Sequence, residues 1–305
     1  MARTLFSCAL TALLFSGRSF AAPTLKPRSV SDSLFTAFEL FEQYSAAAYC
    51  SSNYDSSTTG DELTCDEDDC DTVEAATTKT LLEFEHQDST DVAGYVALDE
   101  TNNYLVVAFR GSSSIRNWIT DLTFGLTDTD LCDDCQAHSG FWDSWESARG
   151  DILSSIESAI DDYSGYTLVV TGHSLGGAIA TLAAAELRNA GYTAALYTYG
   201  SPRVGNEELC TYITDQSGGN YRVTHYDDPV PRLPPHAWGF DHVSPEYWIT
   251  TGNDETVTAS DIEVIDGLYS TSGNSGTSGL DIDAHLWYFQ SIADCASFTL
   301  KSRKL

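Results

Sequence analysis

Ser174 stands in Gly172-His173-Ser174-Leu175-Gly176, directly after the apolar run Leu168-Val169-Val170 and directly before an alanine-rich stretch. Gly-x-Ser-x-Gly between a strand and a helix is the sequence form of a nucleophile elbow, a strained turn that presents a serine hydroxyl. Glycines suit such a turn because two backbones must pass close together. The bland alternative is a serine that merely caps the following helix. A serine hydroxyl is a poor nucleophile by itself. It needs a base within hydrogen-bond reach and a third group to orient that base. On a parallel sheet with this elbow the acid and then the histidine follow the serine along the chain. Asp227-Asp228-Pro229-Val230-Pro231 ends a strand-like run and offers two carboxylates, freed from pairing by the prolines. His285 comes later still, with His236 and His242 as alternatives. His173 adjoins the serine and reads as support for the elbow, His138 as a packing partner of Gly140-Phe141, and His225 as a strand residue.

A tetrahedral intermediate also needs donors for its oxyanion. The amide of Leu175, next after the serine, is one. Arg110-Gly111-Ser112 follows a strand and offers another, with Ser112 able to donate its amide and its hydroxyl. Beyond it, Ser113–Leu122 reads as a short helix with Ile115, Trp118, Ile119 and Leu122 on one face. Such a stripe normally packs into a core. Directly after an oxyanion loop it reads better as an interfacial lid.

The elements that must position these groups follow from periodicity. Ser31 caps a helix whose apolar face includes Leu34, Phe35, Phe38, Phe41 and Tyr44. Residues 80–86, 92–99 and 104–109 alternate as a meander of strands. A helix is expected over 145–163, a strand over 166–172, a helix over 175–189 and a strand over 194–199. A helix over 205–217, a strand over 221–226, late strands near 247–251 and 262–265 and a C-terminal helix around 285–292 complete the chain. Strand and helix alternating through the middle require right-handed crossovers and a mostly parallel sheet, so the class is α/β.

The 305 residues are 42% hydrophobic, enough for one large core. Residues 1–21 have the basic start, apolar centre and small-residue end of a secretory signal peptide. Residues 22–28 read as a short propeptide ending at Lys26-Pro27-Arg28, and 29–305 as a single domain. No other run is long enough to cross a membrane, so the mature chain is expected to be extracellular. Residues 1–28 hold four of the fifteen basic residues and no acid, so beyond them eleven basic residues face 45 acidic ones, a net charge of −34. Such a surface repels nucleic acid and anionic membranes. The acidic run Asp66–Asp71 lacks an EF-hand pattern and reads as solvated. Seven cysteines remain after the leader, an odd number. Cys65 with Cys70 and Cys132 with Cys135 are near enough to staple loops, Cys50 and Cys295 could tie the chain ends, and Cys210 is left as a buried thiol. No cysteine or histidine has zinc-finger spacing, and neither metal nor organic cofactor is expected.

The chain resembles the secreted fungal class 3 lipases, from about Ser31 to Cys295. The resemblance rests on Gln43-Tyr44-Ser45-Ala46-Ala47-Ala48-Tyr49-Cys50, Phe109-Arg110-Gly111-Ser112, Ser114-Ile115-Arg116-Asn117-Trp118-Ile119 and Gly172–Gly177. It continues in Tyr199–Asn206, Val230-Pro231-Arg232-Leu233-Pro234-Pro235 and His285-Leu286-Trp287-Tyr288. It implies an α/β-hydrolase fold with a short helical lid, and a triacylglycerol lipase that uses Ser174, Asp228 and His285. It further implies Ser112 and Leu175 as oxyanion donors and an acyl groove of Phe141, Val230, Leu233, Ile282 and Leu286. Disulfides Cys50–Cys295, Cys65–Cys70 and Cys132–Cys135 are implied as well. The expected partners are a lipid–water interface and an acylglycerol, for a monomer. A feruloyl esterase, or a lipase acting on phospholipids or galactolipids, is the alternative on the same fold. Some relatives carry an acid just after the phenylalanine that trails the lid, where this chain has Phe124-Gly125. The resemblance therefore does not carry over that acid's polar support of Ser112.

Overall fold

A computed structural model describes residues 30–55, 59–66, 69–86, 90–115, 117–118 and 123–296. The expected signal peptide and propeptide lie outside these residues, as do Ile119 and Leu122 of the expected lid. Helix α1 spans Asp32–Ala47, and Ser31 caps it by accepting from the Leu34 amide. A single turn, α2, follows at Asp71–Glu74. Strands β1 (Thr78–His86), β2 (Val92–Asp99) and β3 (Tyr104–Phe109) form the expected antiparallel meander. A small hairpin, β4 (Leu126–Asp128) with β5 (Gln136–His138), leads into α3 (Ser139–Ile160). Then come β6 (Thr167–His173), α4 (Leu175–Asn189), β7 (Ala194–Tyr199), α5 (Glu207–Asp215) and β8 (Asn220–His225). The last strands are β9 (Glu246–Ile249) and β10 (Ile262–Ile265).

The eight-stranded sheet has the order β1-β2-β3-β6-β7-β8-β9-β10. β3, β6, β7, β8 and β9 are parallel neighbours, and antiparallel strands sit at both edges. Side chains alternate between two cores, as a pleated sheet requires. Val96, Leu98, Val107, Phe109 and Val170 face α3 and α4. Tyr95, Ala97, Val106, Ala108 and Val169 face α1. Each large apolar side chain so buried contributes about 1.5–3 kcal/mol.

Three expectations fail. The segment after His285 is a 3₁₀ turn at Asp283–His285 followed by irregular backbone, because its side chains are claimed one by one by distant partners. Tyr288 reaches Asp228, the Gln290 amide reaches Glu42, and Cys295 is bonded to Cys50. The long helix starts at Ser139 rather than Trp145, its first turn built on Phe141 and Trp142 packed into the core. Asp69, expected in a solvated run, is buried, with its carbonyl accepting from Gln290 Nε2. Burial and the nearby Asp294 push its carboxyl up to about 6. The three implied disulfides are present, and Cys210 is a free, buried thiol.

Candidate active site

The elbow is built as its sequence requires. Ser174 has φ 59° and ψ −129°, a left-handed conformation that costs a side-chain-bearing residue about 1–3 kcal/mol. A Cβ at Gly172 would lie 2.5 Å from the Gly176 carbonyl carbon, and one at Gly176 would overlap the Phe109 carbonyl oxygen. Both glycines are therefore spacers, and they let the 109–112 loop lie against the elbow. The strain is balanced locally: the Ser174 amide donates to Tyr199 O at 2.9 Å, and its carbonyl accepts from the first turn of α4. Leu175 opens that helix, where backbone amides lack intrahelical acceptors and carry the positive end of the dipole.

Strand β8 delivers Asp228 to the same end of the sheet. Asp228 is fully buried and accepts three hydrogen bonds. His285 Nδ1 donates to Oδ2 at 2.8 Å, Tyr288 Oη donates to the same oxygen at 2.7 Å, and the Val230 amide donates to Oδ1 at 2.8 Å. Asn274 Nδ2 holds the Asp228 carbonyl at 2.9 Å. Burial and Asp228 together raise the Tyr288 hydroxyl well above its usual range, so it stays a donor. Gly200, at φ +57°, leaves the space that His285 fills, since a Cβ there would come within 2.8 Å of the imidazole. Ser174 Oγ and His285 Nε2 are both buried without a hydrogen-bond partner. With Nδ1 spent on the carboxylate, Nε2 is the nitrogen left to take a proton.

The competitors are occupied elsewhere. Asp227 is half-buried and offers its carbonyl to Arg232. His236 is 43% exposed and lies 2.9 Å from Asp241, while His242 Nε2 bonds Pro231 O at 2.6 Å. His138 stacks on Phe141 with ring centroids 4.0 Å apart, and His225 bonds two carbonyls.

Ser112 is buried, and its support comes from Asp91 at the start of β2, which sequence reasoning missed. The Asp91 carboxylate accepts from Ser112 Oγ at 3.3 Å and from the Ser113 amide at 3.1 Å, and it pairs with the Arg110 guanidinium. Nothing near Asp91 in the chain signals this, because the contact spans two strands.

Two cavities are lined by residues of this region, one beside the elbow and one beside the segment that follows Asp228. One, of about 270 Å³, is lined by Trp118, Phe141, Leu175, His138, Asp91 and their neighbours. The half-buried Trp118 stacks on Phe141 at 6.2 Å, and Ile115 is buried. The other, of about 480 Å³ and mostly apolar, is lined by Pro229, Arg232, Leu233, Leu280 and Ile282. The expected groove is thus divided. Phe141 lines the first cavity, Leu233 and Ile282 the second, and Val230 and Leu286 are among the lining residues of neither. Val230 is fully buried, and Leu286 packs toward the α1 core. Among the described residues, the one cluster of metal-ligand type joins Asp69 to Cys50, Cys65 and Cys295, whose sulfurs are spent in disulfides.

The family model described as lipase (class 3) matches residues 106–238, which hold the 109–112 loop, the elbow and Asp228. The secreted mono- and diacylglycerol lipase A of Penicillium cyclopium is 49% identical over 293 residues, covering 94% of each chain. This chain belongs to the class 3 lipase family. The secreted mono- and diacylglycerol lipase 1 of Fusarium solani is 44% identical over 264 residues, covering 86% of this chain and 78% of its own. A crystal structure of a mono- and diacylglycerol lipase from Aspergillus oryzae has a TM-score of 0.82 at 48% identity, covering 85% of this chain and 97% of that one. The enzyme is a carboxylic ester hydrolase with the α/β-hydrolase fold of these lipases.

Proposed function

We propose that the enzyme, a secreted esterase, hydrolyses acylglycerols through an acyl-enzyme on Ser174, with His285 as general base and Asp228 as its orienting carboxylate. The observation that carries the reading is the fully buried Asp228–His285 pair, whose free imidazole nitrogen and the strained Ser174 hydroxyl are left without other partners. His285 Nε2 takes the Ser174 proton as the hydroxyl attacks the ester carbonyl, and returns it to the leaving glycerol oxygen. Water repeats the cycle and frees the fatty acid. The Leu175 and Ser112 amides face the developing oxyanion, each such donor being worth about 3–4 kcal/mol in related chemistry. Asp228 keeps Nδ1 protonated and stabilises the imidazolium. Trp118 and Ile115 belong to a lid that covers the site in water and turns its apolar face to a lipid surface.

The relatives' names make partial glycerides the first substrates to compare with the triacylglycerol implied by the sequence. Hydrolysis rates are to be measured on monoacyl-, diacyl- and triacylglycerols across their solubility limits, with methyl ferulate as the contrasting ester. A rise in rate where substrate separates as a second phase is the expected result. Hydrolysis of methyl ferulate without activity on any acylglycerol would overturn it. Ser174→Ala is expected to fold and to lose turnover, and ester hydrolysis retained by that variant would refute the nucleophile.

A further inference from the structure

His173 is a fully buried imidazole beside the nucleophile that takes no part in the proton transfer described above. Its Nε2 lies 2.8 Å from the carbonyl oxygen of His285, and its Nδ1 lies 2.7 Å from Tyr49 Oη. A carbonyl only accepts, so Nε2 carries the proton. Burial and the neighbouring His285 hold the His173 ring neutral, so Nδ1 accepts and Tyr49 donates. The Tyr49 oxygen also lies close against Gly111, next before Ser112. A Cβ at Gly111 would overlap that hydroxyl, which explains the glycine. Three groups thus form one directed chain, Tyr49 O–H to His173 Nδ1 and His173 Nε2–H to the His285 carbonyl, and the Tyr49 hydroxyl at its head packs against Gly111. Its ends meet the oxyanion loop and the backbone of the base.

We infer that Tyr49 and His173 are positioning residues that hold the oxyanion loop and the general base in one register. The inference rests on the assignment of Ser174 and His285 above. The chemistry explains why an imidazole sits here rather than a cation. The His285 ring stands 4.5 Å from the His173 ring, centroid to centroid, and must become imidazolium during turnover. A lysine or a protonated histidine would oppose that charge, whereas a neutral imidazole donates one hydrogen bond to the His285 backbone and adds none. The His285 carbonyl fixes the tautomer, and the Tyr49 hydroxyl completes it by donating to Nδ1. Without that donor the Nδ1 lone pair is buried with no partner, which loosens the ring. The anchor is covalently supported, because Cys50, next to Tyr49, is bonded to Cys295, ten residues beyond His285.

The test uses Tyr49→Phe, His173→Gln, His173→Leu and Tyr49→Phe/His173→Leu in the full enzyme. Each is assayed for kcat and KM on a soluble short-chain nitrophenyl ester and for Tm. Glutamine keeps an N–H donor for the His285 carbonyl. Misplacement of reacting groups on the ångström scale costs up to about 100-fold. Tyr49→Phe is accordingly expected to lower kcat about 10- to 100-fold with KM within about twofold. His173→Gln should retain more kcat than His173→Leu, and the double variant should match His173→Leu alone. Unchanged kcat in Tyr49→Phe alongside a lower Tm would overturn the inference, as would fully additive losses. If Tyr49→Phe fails in this way while Ser174→Ala is inactive, the positioning role falls and the serine mechanism stands. Activity in Ser174→Ala would remove the mechanism itself.

Discussion

Replacing Tyr288 by phenylalanine removes one oxygen atom and leaves the buried ring in place. That oxygen is one of three donors to a carboxylate with no access to water. A hydrogen bond to a charged group contributes about 1.5–3 kcal/mol. Asp228 needs its charge in both the resting enzyme and the transition state, so the loss falls nearly equally on the two and the barrier changes little. Stability carries the cost instead. At about 2–4 °C per kcal/mol for a domain of this size class, Tm should fall by about 3–12 °C. The His285 Nδ1 bond at 2.8 Å remains, so kcat should stay within about tenfold of the parent. The assay is thermal unfolding of the purified variant with steady-state kinetics on a soluble ester at a fixed pH. A fall in kcat beyond about 100-fold with Tm unchanged would show that the hydroxyl acts in the transition state, and the reasoning would be refuted.

Asp91→Asn removes the acceptor charge shared by Arg110, Ser112 and Ser113. Activity should drop about tenfold or more through a looser oxyanion loop, a drop of about 1.4 kcal/mol in transition-state stabilisation. Unchanged kcat/KM on a soluble ester would place the support of Ser112 elsewhere. The buried acids under the C-terminal segment set a pH dependence of stability. Glu42 is raised well above its usual range by burial, with Asp69 and Glu39 adding to it, and Asp69 sits at about 6 through burial and Asp294. A raised carboxyl binds protons more tightly in the folded chain, so its contribution is full below about pH 4 and is lost as pH rises through about 6. Tm should therefore fall between pH 4 and 7, and Asp69→Asn should flatten the slope. A slope that persists in the variant would assign it to other groups.

Much of the fold is written in local pattern. Strands β2, β3 and β6 alternate between two apolar cores, and α4 is an alanine-rich run that stops two residues before Gly191. Such periodicity survives folding because each face has one environment. The β4–β5 hairpin was not legible, since three-residue strands leave no periodicity to read. The helix expected after His285 is absent for the opposite reason. Its pattern is helical, yet Tyr288, Gln290 and Cys295 each answer to a partner far away in the chain.

The site divides in the same way. The elbow is encoded in five consecutive residues, because its strain and its close approaches involve neighbours in the chain. Choosing Asp228 over Asp227, or His285 over His236 and His242, needed resemblance at the sequence level. The tertiary structure distinguishes these candidates physically, because it buries one carboxylate and one imidazole against each other and leaves the rest bonded elsewhere. Asp91, Tyr288, Tyr49 and the second bond of His173 came only from the folded chain. Each acts through a hydrogen bond of less than 3.5 Å between groups well separated in sequence or on backbone that follows no regular period. Local composition can place a nucleophile, but the charges and donors that tune it are set by which distant strands the sheet brings side by side.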